Sequence, residues 1–261
     1  MPKIIIIFIL IIAIFVVNLS AMAQNKQVDP IIEKSVQMVN SKQYNSAIIL
    51  LSNAINNKDN TNYIYIRGQV YIDSKQYNLA LKDFNVVISR LPNEYKSYYY
   101  RGIVKGNMKR YNEALIDFKK VLQLRAPEDS FHFLSNTHYL IGLCYFNKKD
   151  YEFAIKNFIE CLHLNPQYSW AYFYKALAWD RKDEVSEAIK AYRVFLRVAT
   201  NTDAAKIQYA NKRIAALSEE ADSDKTPQVI PRKPKKKPPK PAAPKTEVGE
   251  LFSAPLGEEA F

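Results

Sequence analysis

Glycine is scarce in this sequence, with 6 in 261 residues. No Gly-rich phosphate loop and no G-x-S-x-G elbow occur, and Gly102 and Gly106 stand alone. That removes the commonest nucleotide-binding and hydrolase signatures. Cysteine is scarcer still: Cys144 and Cys161 are the whole supply. An oxidising compartment permits a disulfide between them, but two cysteines are no disulfide framework, and two free core thiols are expected. The three histidines, His132, His138 and His163, form no metal-ligand pattern. His132 and His138 lie six apart, which does not set them on one helical face as a four-residue spacing would. The sequence therefore implies no metal, no cofactor and no enzyme.

Long hydrophobic runs are also few. The one that stands out is Ile4 to Val17, an unbroken apolar stretch of 14 residues behind Lys3. It is short for a spanning helix, which wants about 20. Ala21-Met22-Ala23 then supplies a small-x-small cleavage pattern, so residues 1–23 read as a signal peptide removed after Ala23. The residue after that point is Gln24 and not a cysteine that could carry a lipid. The expectation is an exported chain, periplasmic or otherwise outside the inner membrane.

Charge is present in excess, at a formal net +11. Its sharpest cluster is not in the folded part. Residues 225–245 hold eight Lys or Arg, seven Pro and no acid, a composition that forms no packed core. Residues 219–246 are read as a disordered linker. Beyond it, 247–261 regain Leu251, Phe252, Leu256 and Phe261 among acids, the pattern of a short interaction motif on a tether.

What is abundant is a repeat. Ala47, Ala80, Ala114, Ala154 and Ala188 recur at spacings of 33, 34, 40 and 34. Twelve residues before each stands a small residue: Ser35, Gly68, Gly102, Gly142 and Ala176. Four residues after each stands a bulky one: Leu51, Phe84, Phe118, Phe158 and Tyr192. Three before come Tyr44, Tyr77, Tyr111, Tyr151 and Val185, and Pro92, Pro127 and Pro166 close units two to four. Small residues let antiparallel helices approach, and the large side chain fills the space beside the contact. Proline ends each unit because it cannot continue a helix. The longer spacing adds six residues around 126–136, predicting a longer first helix in unit four with Phe131 or Phe133 exposed near its start. Thr202 to Leu217 reads as a last amphipathic helix, opened by Asp203, with Ile207, Ala210, Ile214 and Leu217 on one stripe.

Over residues 29–200 this register resembles the tetratricopeptide-repeat family. The resemblance implies an all-α, right-handed superhelical solenoid of about five helix pairs, with the capping helix completing a body at 24–218. It also implies that the first helix of each unit lines a concave groove. That projection places Tyr65, Tyr99, Tyr139 and Phe173 in the groove, with Gln69, Ile103, Leu143 and Leu177 one turn on. Family members that grip chaperone C-termini use Lys, Asn and Arg there. Here the matching positions hold Ile32, Val36, Ile66 and Tyr100, and only Lys96 fits, so that role is not expected. Both cysteines fall where the repeat has small buried residues, which favours free thiols.

The expected function is a non-catalytic protein–protein interaction scaffold of the cell envelope, within a membrane-associated assembly, with protein or peptide partners and no nucleic acid. Two other readings stay open. One is a periplasmic chaperone-like receptor for exported or unfolded chains. The other is a basic-tailed anchor to anionic envelope polymer or lipid.

Overall fold

A computed structural model describes residues 29–125, 131–200 and 203–225, apart from the side chains of His132 and residues 222–225. The proposed signal peptide, most of the Pro/Lys-rich linker and the terminal motif with Leu251, Phe252, Leu256 and Phe261 lie outside the described residues.

The described residues form eleven helices, five pairs and a remainder, and a short turn joins the two helices of each pair. Unit one is α1 (Pro30–Asn40) with α2 (Tyr44–Asn57), and unit two is α3 (Thr61–Asp73) with α4 (Tyr77–Arg90). Unit three is α5 (Tyr95–Asn107) with α6 (Tyr111–Leu124), and unit four is α7 (Phe131–Asn147) with α8 (Tyr151–Leu164). Unit five is α9 (Ser169–Arg181) with α10 (Val185–Val198), and α11 (Ala204–Lys225) follows. Each helix packs mainly on its chain neighbours, and consecutive first helices also touch, which makes a solenoid.

The register is what closes these pairs. All five repeat alanines are fully buried, as are Leu51, Phe84, Phe118, Phe158 and Tyr192. A Cβ built on Gly102 would stand 2.6 Å from Phe118 Cε1, and one on Gly142 2.6 Å from Phe158 Cε1. Both distances are shorter than any real contact, so these positions need a bare backbone for the ring to lie on it. At the stack ends the small residue carries a Cβ, in Ser35 and Ala176, and the partners there are Leu51 and Tyr192 rather than Phe.

Unit four has the lengthened first helix, 17 residues against 13 in units two, three and five. Its two phenylalanines divide. Phe131 is 72 % exposed, whereas Phe133 is buried against Tyr99 and Tyr95 of unit three, at ring distances of 4.6 and 5.3 Å.

Helix α11 runs to Lys225, eight residues past Leu217, so it takes in the first part of the stretch read as linker. Glu219, Glu220 and Ala221 are good helix formers, and no residue opposes the helix until Pro227. Composition averaged over the tail hid that boundary. The apolar stripe is placed as expected: Ala210 and Leu217 are buried, and Ile207 and Ile214 pack on the same core. Asp203 does more than open the helix, since its carboxylate accepts the Trp170 indole N–H at 2.7 Å and the Ser169 hydroxyl at 3.2 Å. The Lys206 ammonium sits 3.9 Å from the centre of the same indole ring.

All five turns between first and second helices repeat one backbone device. Lys42, Lys75, Lys109, Lys149 and Asp183 each take φ near 60°, between 58° and 65°. In each, the left-handed residue donates its N–H three residues back and its successor donates five back, as Lys42 to Val39 and Gln43 to Met38. This is the Schellman helix stop, whose left-handed position normally belongs to glycine. A side chain there costs about 1–2 kcal/mol, and glycine costs about 0.5–1 in chain entropy. Lys75→Gly should therefore stabilise by about 0.5–1 kcal/mol, and the same holds at Lys42, Lys109 and Lys149. Thermal melts of the single variants check this, and a lowered Tm would show that the lysine side chain is stabilising the turn.

Candidate functional site

The eight residues projected into a groove do not share one environment. Tyr99, Ile103, Tyr139, Leu143, Phe173 and Leu177 are buried, none more than 4 % exposed. Tyr99 packs edge-on against Phe118, Tyr139 lies tilted against Phe158, and Phe173 packs edge-on against Tyr192 and Phe195, all within their own units. These six side chains are core, which corrects the projection. The reason is geometric: the aromatic sits three residues before the small residue of the repeat, so it lies over the same large ring of the second helix. Tyr65 differs, being half-buried between Phe84 and Tyr100 at 6.1 and 5.7 Å.

Gln69 is the exception in kind. It is 2 % exposed, yet among the described residues neither its amide nitrogen nor its amide oxygen has a hydrogen-bond partner. Asn107, at the last turn of the next first helix, is also buried, with both amide atoms unmatched among the described residues. Such groups cost about 1–3 kcal/mol each when left unpaired. Sequence reasoning selected Gln69 for its register but missed Asn107, which shows only as a polar residue at the end of a helix.

One turn beyond Gln69 on the same face of α3 lies Asp73, half-buried. Burial alone lifts its carboxyl from the ordinary 3.8 to about 6. The folded state thus holds the proton more tightly than the unfolded chain, and stability falls as pH rises from about 4 to about 6. Asp73→Asn should raise Tm at pH 7, with the gain shrinking below pH 6 and absent near pH 4. Melts across that range test it, and a gain that persists at pH 4 would place the effect elsewhere.

Other polar groups are committed to the frame. Arg67 donates twice to Asp83, at 2.9 and 2.8 Å, and once to Ser52 of the preceding unit at 3.0 Å. Arg101 repeats this with Asp117 and Asn85, at 2.9, 2.7 and 2.8 Å, and Lys105 joins Asp117 at 2.7 Å. Each arginine ties its own helix pair to the second helix before it. The sequence signal was an Arg–Asp spacing of sixteen, at 67/83 and 101/117.

The titratable groups that chemistry would call on are dispersed. His138 faces Asn157 at 3.4 Å, with burial holding its pKa below the usual histidine value, and His163 is exposed. Cys144 and Cys161 are free, buried thiols, pushed up to about 12 by burial and so unreactive at neutral pH. Among the described residues no three His, Cys, Asp or Glu side chains converge on a possible metal position. No described helix is long and apolar enough to cross a membrane.

Two tetratricopeptide-repeat family models match the chain, at residues 95–127 and 135–168. Their first residues, Tyr95 and Ser135, stand seven before Gly102 and Gly142, the phase that the buried alanines and rings define. The chain is a tetratricopeptide-repeat protein. Among solved tetratricopeptide-repeat folds it is similar to PilW, described as a widely conserved type IV pilus biogenesis factor, with 16 % identity over 74 % of this chain and 90 % of that one, at a TM-score of 0.61. It is similar to the C-terminal part of a repeat-containing protein from Cytophaga hutchinsonii, with 18 % identity over 78 % and 82 %, at 0.59. It is also similar to MamA from Desulfovibrio magneticus RS-1, with 19 % identity over 74 % and 94 %, at 0.53. No curated protein matches the sequence. At these identities the likeness establishes the tetratricopeptide-repeat fold, and with the family matches it supports a protein-interaction scaffold.

Proposed function

We propose that the chain is a non-catalytic scaffold of the cell envelope whose first helices hold a protein partner at units two and three. The observation that carries this is the pair of side-chain amides, Gln69 and Asn107, unmatched among the described residues and closed to solvent, so that a partner reaches them only as these side chains turn outward. An amide side chain offers one donor group and one acceptor, which is what a peptide backbone needs. Asp73 beside them adds a carboxylate for a cationic side chain, and half-buried Tyr65 adds apolar area. The likeness in fold to a pilus biogenesis factor fits a part in building a larger assembly. Export rests on the Ile4–Val17 run and the Ala21-Met22-Ala23 pattern. The terminal segment with Leu251, Phe252, Leu256 and Phe261 would give such a scaffold a second contact on a tether.

The test is the double substitution Gln69→Leu with Asn107→Leu, made in the full chain in its native cell. If the amides serve only the fold, removing unmatched polar groups leaves or raises Tm and leaves the partners unchanged. The proposal expects Tm to hold and one stoichiometric partner to be lost on affinity isolation. Retention of every partner at wild-type yield would overturn it.

A further inference from the structure

Tyr65, Gln69 and Asp73 follow one another at four-residue steps along α3, which puts them on one face of that helix. The middle of this stripe is closed and its ends are open: Gln69 is buried, while Tyr65 and Asp73 are half-buried. Tyr65 lies against the rings of Phe84 and Tyr100, within the field of the Glu94 carboxylate. Asp73 is the unusual member. Asp83, Asp117 and Asp180 are each held by an arginine of the frame. Among the described residues no cation and no hydrogen-bond donor meets Asp73, and burial is the one influence on its carboxyl. Arg67, Arg101 and Lys105 are committed to Asp83 and Asp117, and Lys96 lies in the first turn of α5, the end away from Asp73.

The chain itself carries what this stripe lacks. Residues 231–245 combine lysines with prolines and hold no acid. Along α3, Tyr65 and Asp73 are about 12 Å apart, at about 1.5 Å per residue. A polyproline chain covers the same ~12 Å in about four residues, and Lys237 with Pro241 and Lys240 with Pro244 have that spacing. Proline rings pack on tyrosine faces and bring no N–H that needs a partner. The tail also reaches. First helices stack about 10 Å apart, so α3 stands at most about 40 Å from α11. Helix α11 ends at Lys225, and the chain from there to Lys240 spans about 46 Å when extended.

We propose that the Pro/Lys-rich segment 231–245 docks on units two and three of its own chain, with prolines on Tyr65 and Tyr100 and a lysine on Asp73. The docked segment covers the face assigned above to a protein partner, so tail and partner compete for it. The competition rests on the scaffold reading, whereas the docking does not. A partner that wins the face frees the tail, and with it the terminal motif carrying Leu251 and Phe252.

The experiment uses the purified full chain at low concentration, with a photo-crosslinking residue at position 62 on α3 or, as control, at position 116 on α6. Peptide mapping locates the adducts. Position 62 should give an intramolecular adduct to a peptide within 231–245, and position 116 should give little. Changing Lys235, Lys236, Lys237 and Lys240 together to Gln should reduce the adduct about fivefold or more, as should raised salt. These lysines lie outside the helix pairs, so the variant keeps its fold. A cycle supplies a second readout: the Tm gain of Asp73→Asn at pH 7 should be larger in that tail variant than with the native tail, because a docked lysine offsets part of the cost of burying the carboxylate. Equal adducts from both positions, tail adducts found only in crosslinked dimers, or an adduct unchanged by the lysine substitutions would overturn the proposal. If the tail adduct is absent while Gln69→Leu with Asn107→Leu still loses its partner, the docking falls and the scaffold reading stands. A tail adduct with no partner lost is the reverse.

Discussion

Asp180→Ala should destabilise the protein by about 3–5 kcal/mol, with the damage centred on the C-terminal end of the stack. Arg213 of α11 donates to both carboxylate oxygens of Asp180, through Nε at 2.7 Å and Nη2 at 3.0 Å. The two side chains are 6 % and 1 % exposed, so neither charge has water to fall back on. Removing the carboxylate leaves a buried guanidinium with only the longer, partly exposed pairing to Glu220 at 3.5 Å. Replacing both partners by apolar groups strands no charge and leaves only the Tyr192 hydroxyl, 3.4 Å from Asp180, to lose an acceptor, so Asp180→Leu with Arg213→Met should recover most of the loss. In a solenoid the effect passes only to neighbouring layers. Hydrogen exchange should therefore quicken across α11 and α9 in Asp180→Ala while α3 to α6 stay protected. Uniform loss of protection along the chain would mean that the end helix is not a separate layer.

Phe118→Ala should cost about 3–5 kcal/mol, because its ring is fully buried and lies against the bare backbone of Gly102. Gly102→Ala should cost about 1–3 kcal/mol for the opposite reason, overpacking the same contact. The informative variant joins Gly102→Ala to Phe118→Leu, since the smaller side chain makes room for the new methyl. The pair should be less damaging than the sum of its parts by more than about 0.5 kcal/mol, the scatter seen for independent sites. Denaturant unfolding of the four proteins gives the cycle. Strict additivity would show that the two residues do not meet and that the register is misplaced.

That register was legible because close packing leaves a chemical trace. A position that admits no Cβ can only be Gly or nearly so, and the position opposite must be large. Gly68 with Phe84, Gly102 with Phe118 and Gly142 with Phe158 keep one spacing, and that constancy marks a packed helix pair. The groove was less legible. An aromatic at Tyr99 or Tyr139 satisfies helical periodicity whether it faces a partner or its own second helix, and only the packing against Phe118 and Phe158 decides. Gln69 emerged from the same projection, but what marks it is the lack of a partner, which no sequence displays. The bond between Arg213 and Asp180 was hidden for another reason: it joins residues 33 apart across a unit and a cap, where no repeat exists to reveal it.

The most direct test of the central claim is photo-crosslinking in the native cell from two positions. One is Asn62, exposed on first helix α3; the other is Ile116, 66 % exposed on second helix α6. The scaffold reading predicts one or a few discrete adducts from position 62, stoichiometric and lost in the Gln69→Leu, Asn107→Leu background, with few or none from position 116. Adducts from position 116 alone, or a broad array of substoichiometric clients from position 62, would contradict it.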